Sequence, residues 1–344
     1  MLHKLFDALY NKVLINIVMK RDATDVYVEL CSKKGVISSE SQSFEGITPN
    51  TELQEYVERF MKESPFHYLA FLDLSSDQGA LPSCEKSELS KFYDLSMSKT
   101  KCYDDAWTYF TSKQDINELE KLYKNFEIDF LFSPFIVLRE FFDDKITTTL
   151  AMFALVQDSY ISLAIFDNGK LLYADHLDME ISVQLNNDIL SEDIDDDISL
   201  DDGKGGIDLE EIDVIDDIEE IEGLEDFGDI EDLDSLEEID EFSENRDIEE
   251  EFYEAEDEVL EEGDADTFNE DYQRFSLIQG SLGDFYHNEN YKSQFIESIY
   301  IADGVGVSSD LKRYLEEEMF LNVYIRRVEL AMEIAQLTKG ELGL

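Results

Sequence analysis

One stretch limits what this chain can fold into more than any other: from Asp188 to Asp266, 79 residues hold 40 acidic and 2 basic side chains. Such a segment repels itself and offers too little apolar surface to build a core, so it stands outside whatever packs. Its apolar residues do not rescue it. From Ile212 to Phe242 they fall at every third position. A helix advances about 100° per residue, so that repeat winds around the whole cylinder, and a strand needs a period of two. The expectation is a long, mostly disordered acidic insertion. One alternative is a segment that orders against a basic partner through its apolar side chains. An EF-hand-type calcium loop is disfavoured, because its arrangement of glycine and terminal glutamate is missing.

The other 265 residues carry 43 acidic and 25 basic groups, an ordinary acidic globular balance, and 344 residues suffice for two domains. A surface this negative repels phosphate backbones and anionic lipid, so nucleic acid and direct membrane attachment are not expected. Met1 to Tyr10 is a short amphipathic run rather than a signal peptide. Leu150 to Phe166 is interrupted by Gln157, Asp158 and Ser159 and falls short of a membrane span. Cys31, Cys84 and Cys102 are odd in number and far apart. They suggest neither a disulfide framework nor a metal site, and the cytoplasm is the default compartment.

Lys12 to Phe44 reads as three short strands, on the alternation of Val13, Ile15 and Ile17, then Val26, Val28 and Leu30, then Val36 and Ile37 after a Lys-Lys-Gly turn. Asn50 or Thr51 can cap a helix whose buried face is Leu53, Tyr56, Val57, Phe60 and Met61, and Tyr68 to Leu74 is a buried strand. After a less regular stretch, Trp107 to Thr111 is a strand and Asp115 is a candidate cap for a helix. Phe130 to Phe132 and a helix from Pro134 to Phe142 complete a second small α/β unit. A third unit opens with strands over Thr149 to Val156 and Tyr160 to Phe166. Asn168-Gly169 then turns a hairpin onto Leu171 to His176. It resumes after the insertion with helix Tyr272 to Tyr286, strand Ser298 to Ile301, helix Asp310 to Met319, strand Val323 to Ile325 and a last helix from Val328.

This order of units resembles the actin-like ATPase superfamily, and within it the PilM type IV pilus assembly proteins and the cytoplasmic domain of the secretion protein GspL. Four stretches carry the resemblance: the opening strands, helix and strand; Trp107 to Pro134; YISLAIFDNGKLLYADHL (Tyr160 to Leu177); and FSLIQGSLGDFY with IYIADGVGVSSDLKRYL (Phe275 to Tyr286, Ile299 to Leu315). It implies a first lobe over residues 1–145 that includes an extra α/β subdomain at about 76–133. A second lobe over 146–187 and 267–344 is interrupted by the insertion at 188–266.

In that superfamily a hairpin with an Asp-x-Gly pattern cradles phosphate and magnesium in each lobe. By position Asn16 and Val18 stand at the first pair, and Leu155 and Gln157 at the second. An apolar side chain cannot hold a metal, and a branched Cβ blocks close backbone approach, so both phosphate loops read as lost. Gly304 and Gly306 remain as the adenosine-side turn, which equally serves as a plain glycine turn into the next helix. His3, His67, His176 and His287 are isolated, and the cysteines lack a nucleophile signature.

The expectation is a non-catalytic cytoplasmic scaffold, without cofactor, held at the inner membrane by the cytoplasmic tail of a PilN-like single-span protein, with self-association into a ring left open. Pili, type II secretion, DNA uptake and a flagellar motor accessory structure are all candidates. The alternatives are an ATP-binding switch of the same fold, using Gly304, or an acidic protein whose insertion captures a basic partner.

Overall fold

The structure, a computed structural model, describes residues 10–179 and 265–344. The expectations for Met1 to Tyr10, His3 included, and for the acidic insertion fall outside the described residues, apart from Tyr10 and the insertion's last two. The chain opens with β1 (Lys12–Met19), β2 (Ala23–Ser32) and β3 (Gly35–Glu45), an antiparallel meander. β1 is buried on both faces. β3 is exposed at every position but Phe44, so its polar Ser-rich sequence shows no alternation. Next comes α1 (Thr51–Met61), which starts where Asn50 Oδ1 accepts from Leu53 N at 2.8 Å. It buries Leu53, Tyr56, Val57 and Phe60, and β4 (His67–Leu72) then runs parallel to β1.

A small antiparallel sheet follows, ordered β5-β7-β6 and built from β5 (Gln78–Leu81), α2 (Lys86–Leu89), β6 (Ser98–Tyr103) and β7 (Trp107–Ser112). Two sequence expectations are corrected here. The cap of α3 (Lys113–Leu122) is Ser112, whose hydroxyl accepts from Asp115 N, so Asp115 lies in the first turn. Cys84 and Cys102 are joined in a disulfide. β5 and β6 flank β7 on opposite sides, and that pairing brings together two cysteines 18 residues apart. Cys31 is free and buried.

β8 (Phe130–Phe132) leaves this small unit and pairs parallel to β4, a further correction, since it completes the first large sheet in the order β3-β2-β1-β4-β8. After α4 (Pro134–Phe141), capped by Ser133, and α5 (Asp143–Ile146), the same pattern starts again. β9 (Leu150–Val156), β10 (Tyr160–Asp167) and β11 (Lys170–Asp178) form the second meander. Its hairpin turns through Asn168 and Gly169 at φ of +46° and +82°. α6 (Ala265–His287) leads to β12 (Ser298–Asp303), α7 (Ser309–Glu317), β13 (Asn322–Arg327) and α8 (Leu330–Leu342). The second sheet is ordered β11-β10-β9-β12-β13, with β12 parallel to β9 and β13 parallel to β12. Strand for strand it repeats the first, and this duplication is the actin-like ATPase architecture.

The layers follow from which face each side chain takes. Val13, Ile15 and Ile17 face α1, and Met152, Ala154 and Val156 face α6 and α7. Phe153, Leu155, Ala70 and Leu72 face a shared core between the sheets, filled by α4 and α8. α8 follows the second sheet in sequence but is fastened to the first. Lys339 Nζ lies 3.0 Å from the buried carboxylate of Glu29, and Thr338 Oγ1 shares its one proton between Ile334 O at 2.8 Å and Asn16 Oδ1 at 3.3 Å. An unpaired buried carboxylate costs several kcal/mol, roughly 3–5, so the Glu29–Lys339 pair holds α8 in place.

Candidate functional site

The strand ends that matter meet in one place. Val18 at the end of β1, Gln157 just past β9 and Gly304 just past β12 all line a cleft of about 650 Å³ between the two lobes. Parallel strands in α/β sheets present ligands at their carboxyl ends, and this is where the sequence places its phosphate-loop positions. The side chains there have other tasks. Asn16 is fully buried; its Nδ2 donates to Tyr27 O at 3.1 Å and its Oδ1 accepts from Thr338. Leu155 is fully buried in the hydrocarbon between the sheets. Val18 puts its branched side chain into the same core.

The adenosine-side turn is built around Asp303, which the sequence reading passed over. Its Oδ1 accepts from Val305 N at 3.0 Å, Gly306 N at 2.7 Å and Val307 N at 3.2 Å. Its Oδ2 accepts from Arg327 Nη1 at 2.8 Å. Three successive amides thus form a concave anion site, and the chain's own carboxylate occupies it. Gly304 donates to Val156 O at 3.0 Å, and a Cβ there would lie 3.0 Å from that same oxygen and 3.4 Å from Leu330 Cδ1. Gly306 has φ +89°, and a Cβ would meet Arg327 Nη1 at 2.9 Å. Both glycines are accounted for by packing. Of the two, Gly304 lines the cleft, whereas Gly306 closes around Asp303. The start of α7 is satisfied in the same way: Asp271, fully buried and paired to Arg274, accepts from Ser308 N at 3.0 Å.

The rest of the cleft is largely apolar, with four acidic side chains, Asp73, Asp115, Glu118 and Asp158. Burial raises Asp73, against the lowering influence of hydrogen bonds from Ser75. Asp115 is also raised, first by burial and then by Glu118, Asp73 and Asp77. The cleft's basic residues are engaged: Lys20 with Asp25 at 2.8 Å, and Arg21 with Glu270 at 3.0 Å and with Asp158 O at 2.7 Å. Gln157 Nε2 is buried without a hydrogen-bond partner. A triphosphate entering here meets like charge and cations already paired. Asp73 and Glu118 escaped the sequence reading, which took Asp115 only for a helix cap. The available signal was Asp73 at the end of the apolar run YLAFL, the carboxyl end of a parallel strand.

Among the described residues no group of three or more His, Cys, Asp or Glu is arranged to hold a metal ion. No helix of the described residues is long and apolar enough to cross a membrane. His67 and His287 bond to backbone carbonyls through Nδ1, at 3.1 Å to Ser64 and 2.7 Å to Gly283. His176 lies in the second sheet, its ring stacked on Tyr160.

Comparison with known proteins finds the fold widely and sequence likeness sparingly. No curated protein matches the chain. A Bacteroides thetaiotaomicron protein with actin-like ATPase fold and unknown function is similar at 17% identity over 53% of this chain and 77% of that one, with a TM-score of 0.32. A PilM-PilN type IV pilus biogenesis complex is similar at 9% identity over 93% and 89%, with a TM-score of 0.44. Component A of (R)-2-hydroxyglutaryl-CoA dehydratase from Acidaminococcus fermentans is similar at 7% identity over 94% of each chain, with a TM-score of 0.36. The fold class stands on the duplicated sheet order rather than on these distant likenesses. Residues 10–139 match the domain of unknown function DUF8569. Residues 152–343, more than half of the chain, match the domain of unknown function DUF8341, and the chain belongs to that family.

Proposed function

We propose that this protein is a non-catalytic scaffold of the actin-like fold that docks onto the cytoplasmic tail of a single-span membrane protein, in the manner of a pilus-type assembly. The observation that carries this reading is the Asp303 carboxylate, seated on the three amides the adenosine-side turn has to offer. Asn16 and Leu155, buried in structural roles at the two phosphate-loop positions, support it. So do the four acidic side chains of the cleft, Asp73, Asp115, Glu118 and Asp158, which disfavour a polyanion. On this reading the protein works from the cytoplasm, at the inner membrane, through its partner.

Calorimetry with ATP and magnesium tests the first half: no saturable binding is expected. Micromolar binding that disappears in Gly304→Leu establishes the ATP-dependent switch instead. A pull-down from detergent-solubilised membranes tests the second half. Recovery of a single-span membrane protein is expected, and an eluate without one removes the docking reading.

A further inference from the structure

A second cavity, of about 600 Å³, lies where β5 of the small sheet faces β11 and the end of α6 in the second lobe. Its walls are aromatic. Tyr93 stacks on Phe110 with ring centroids 4.6 Å apart, Phe92 packs on Tyr291 at 5.3 Å, and Tyr173 meets Tyr291 edge-on at 4.9 Å. Two carboxylates, Asp175 and Asp284, share this space. Asp175 Oδ2 accepts from Tyr173 Oη at 3.1 Å and Ser281 Oγ at 2.9 Å, and its Oδ1 accepts from the His176 amide at 2.9 Å. All three donors are neutral. Neither carboxylate forms an ion pair among the described residues, and the lining contains no lysine or arginine. Burial pushes the His176 imidazole down to about 4, so it brings no positive charge at neutral pH. Gln78, on the same wall and 6% exposed, has its Oε1 buried without a partner.

Aromatic faces, carboxylates without an ion pair and an unsatisfied amide oxygen, with His176 and His287 the only basic side chains of the lining, complement a cation carried on an apolar stem. β5 and β11 lie against one another, and β5, buried at every position, lines the cavity along its whole length. The volume is also several times that of one ammonium or guanidinium group. We propose that this groove receives an arginine or lysine side chain from a peptide of a partner protein. The inference rests on the docking reading above and names the chemistry the partner supplies; it places that contact away from the interlobe cleft.

The test uses the full chain and two synthetic probes, acetyl-Val-Arg-Val-Arg-Val-amide and its citrulline counterpart. Titration at about 0.3 M salt screens long-range attraction to the acidic insertion. Saturable one-to-one binding of the arginine probe is expected, with none for the citrulline probe. Asp284→Asn, at an exposed position, and Tyr291→Ala are each expected to weaken it about tenfold, on the scale of a lost charge pair or cation–π contact. Asp232→Asn with Asp234→Asn, in the insertion, is expected to leave it unchanged. Absence of saturable binding overturns the proposal, as do equal binding of the citrulline probe or wild-type affinity in Asp284→Asn and Tyr291→Ala. None of those results touches the docking reading, which the membrane pull-down tests separately.

Discussion

The two lobes repeat one sheet order, yet they filled their equivalent positions in opposite ways. In the first lobe Asn16 stayed polar and was recruited into hydrogen bonds with Tyr27 and with Thr338 of α8. In the second, Leu155 became hydrocarbon among Phe153, Phe166 and Ala302. A buried polar group survives where partners exist within reach; where the neighbours are apolar, the same site accepts only an apolar side chain. The difference lies in the surroundings, since α8 brings a hydroxyl to β1.

Restoring an acid at each position is the sharpest way to break this comparison. Leu155→Asp puts an unpaired carboxyl into the inter-sheet core and is expected to cost more than about 4 kcal/mol, read by urea unfolding. A folded, wild-type-like Leu155→Asp protein means that the second lobe still has a polar site there. The second lobe does hold one polar ring, and only in its neutral form. His176 sits at about 4, below its ordinary value near 6.5, because burial opposes its charge. As pH falls from about 6.5 towards 4 the unfolded chain takes up a proton that the native state refuses, so stability declines by up to about 3 kcal/mol. Above that window His176 has no effect. Asp73 and Asp115, raised by burial, act with the opposite sign, so the measurement is the difference in slope between the wild type and His176→Gln. Equal slopes contradict the half-buried, neutral imidazole.

Asn16→Asp sharpens the comparison at the other site. It exchanges a donor facing Tyr27 O for an acceptor, at a cost of about 2 kcal/mol, and still keeps Thr338 as a partner. A loss as large as that of Leu155→Asp erases the distinction between the lobes. The smallest effect is a gain. Phe320 stands 83% exposed at φ +56°, whereas the other positive-φ residues besides glycine are Asp104, Asp105 and Asn168, types that tolerate this region. Phe320→Gly is expected to stabilise the second lobe by about 1 kcal/mol in thermal unfolding, and a lower melting temperature shows that the ring contributes packing instead.

The elements legible in the sequence had local causes. Alternation marked β1 and β2, Asn50 marked the start of α1, and Asn168-Gly169 marked the hairpin. What escaped depends on partners distant in the chain. β6 is the polar, mostly exposed run SKTKCY, without a hydrophobic period, and β5 spans four residues; both are strands only because β7 lies between them. The same pairing explains the unforeseen Cys84–Cys102 bond, and β8 is assigned to its sheet by β4 alone. At the site, the two glycines of ADGVGV drew attention, while the aspartate that organises them did not. An aspartate folding back on amides two to four residues ahead is a turn habit that sequence can suggest.

That aspartate has a consequence for timing. A nucleotide-driven molecule alternates because its anion arrives, is consumed and departs, and each event tightens or slackens the loop around it. At the adenosine-side turn a negative charge is covalently tethered as residue 303, so on the scaffold reading proposed above that turn is gripped from the moment of folding. On that reading, a clock for any assembly built on this chain has to run in one of its associates.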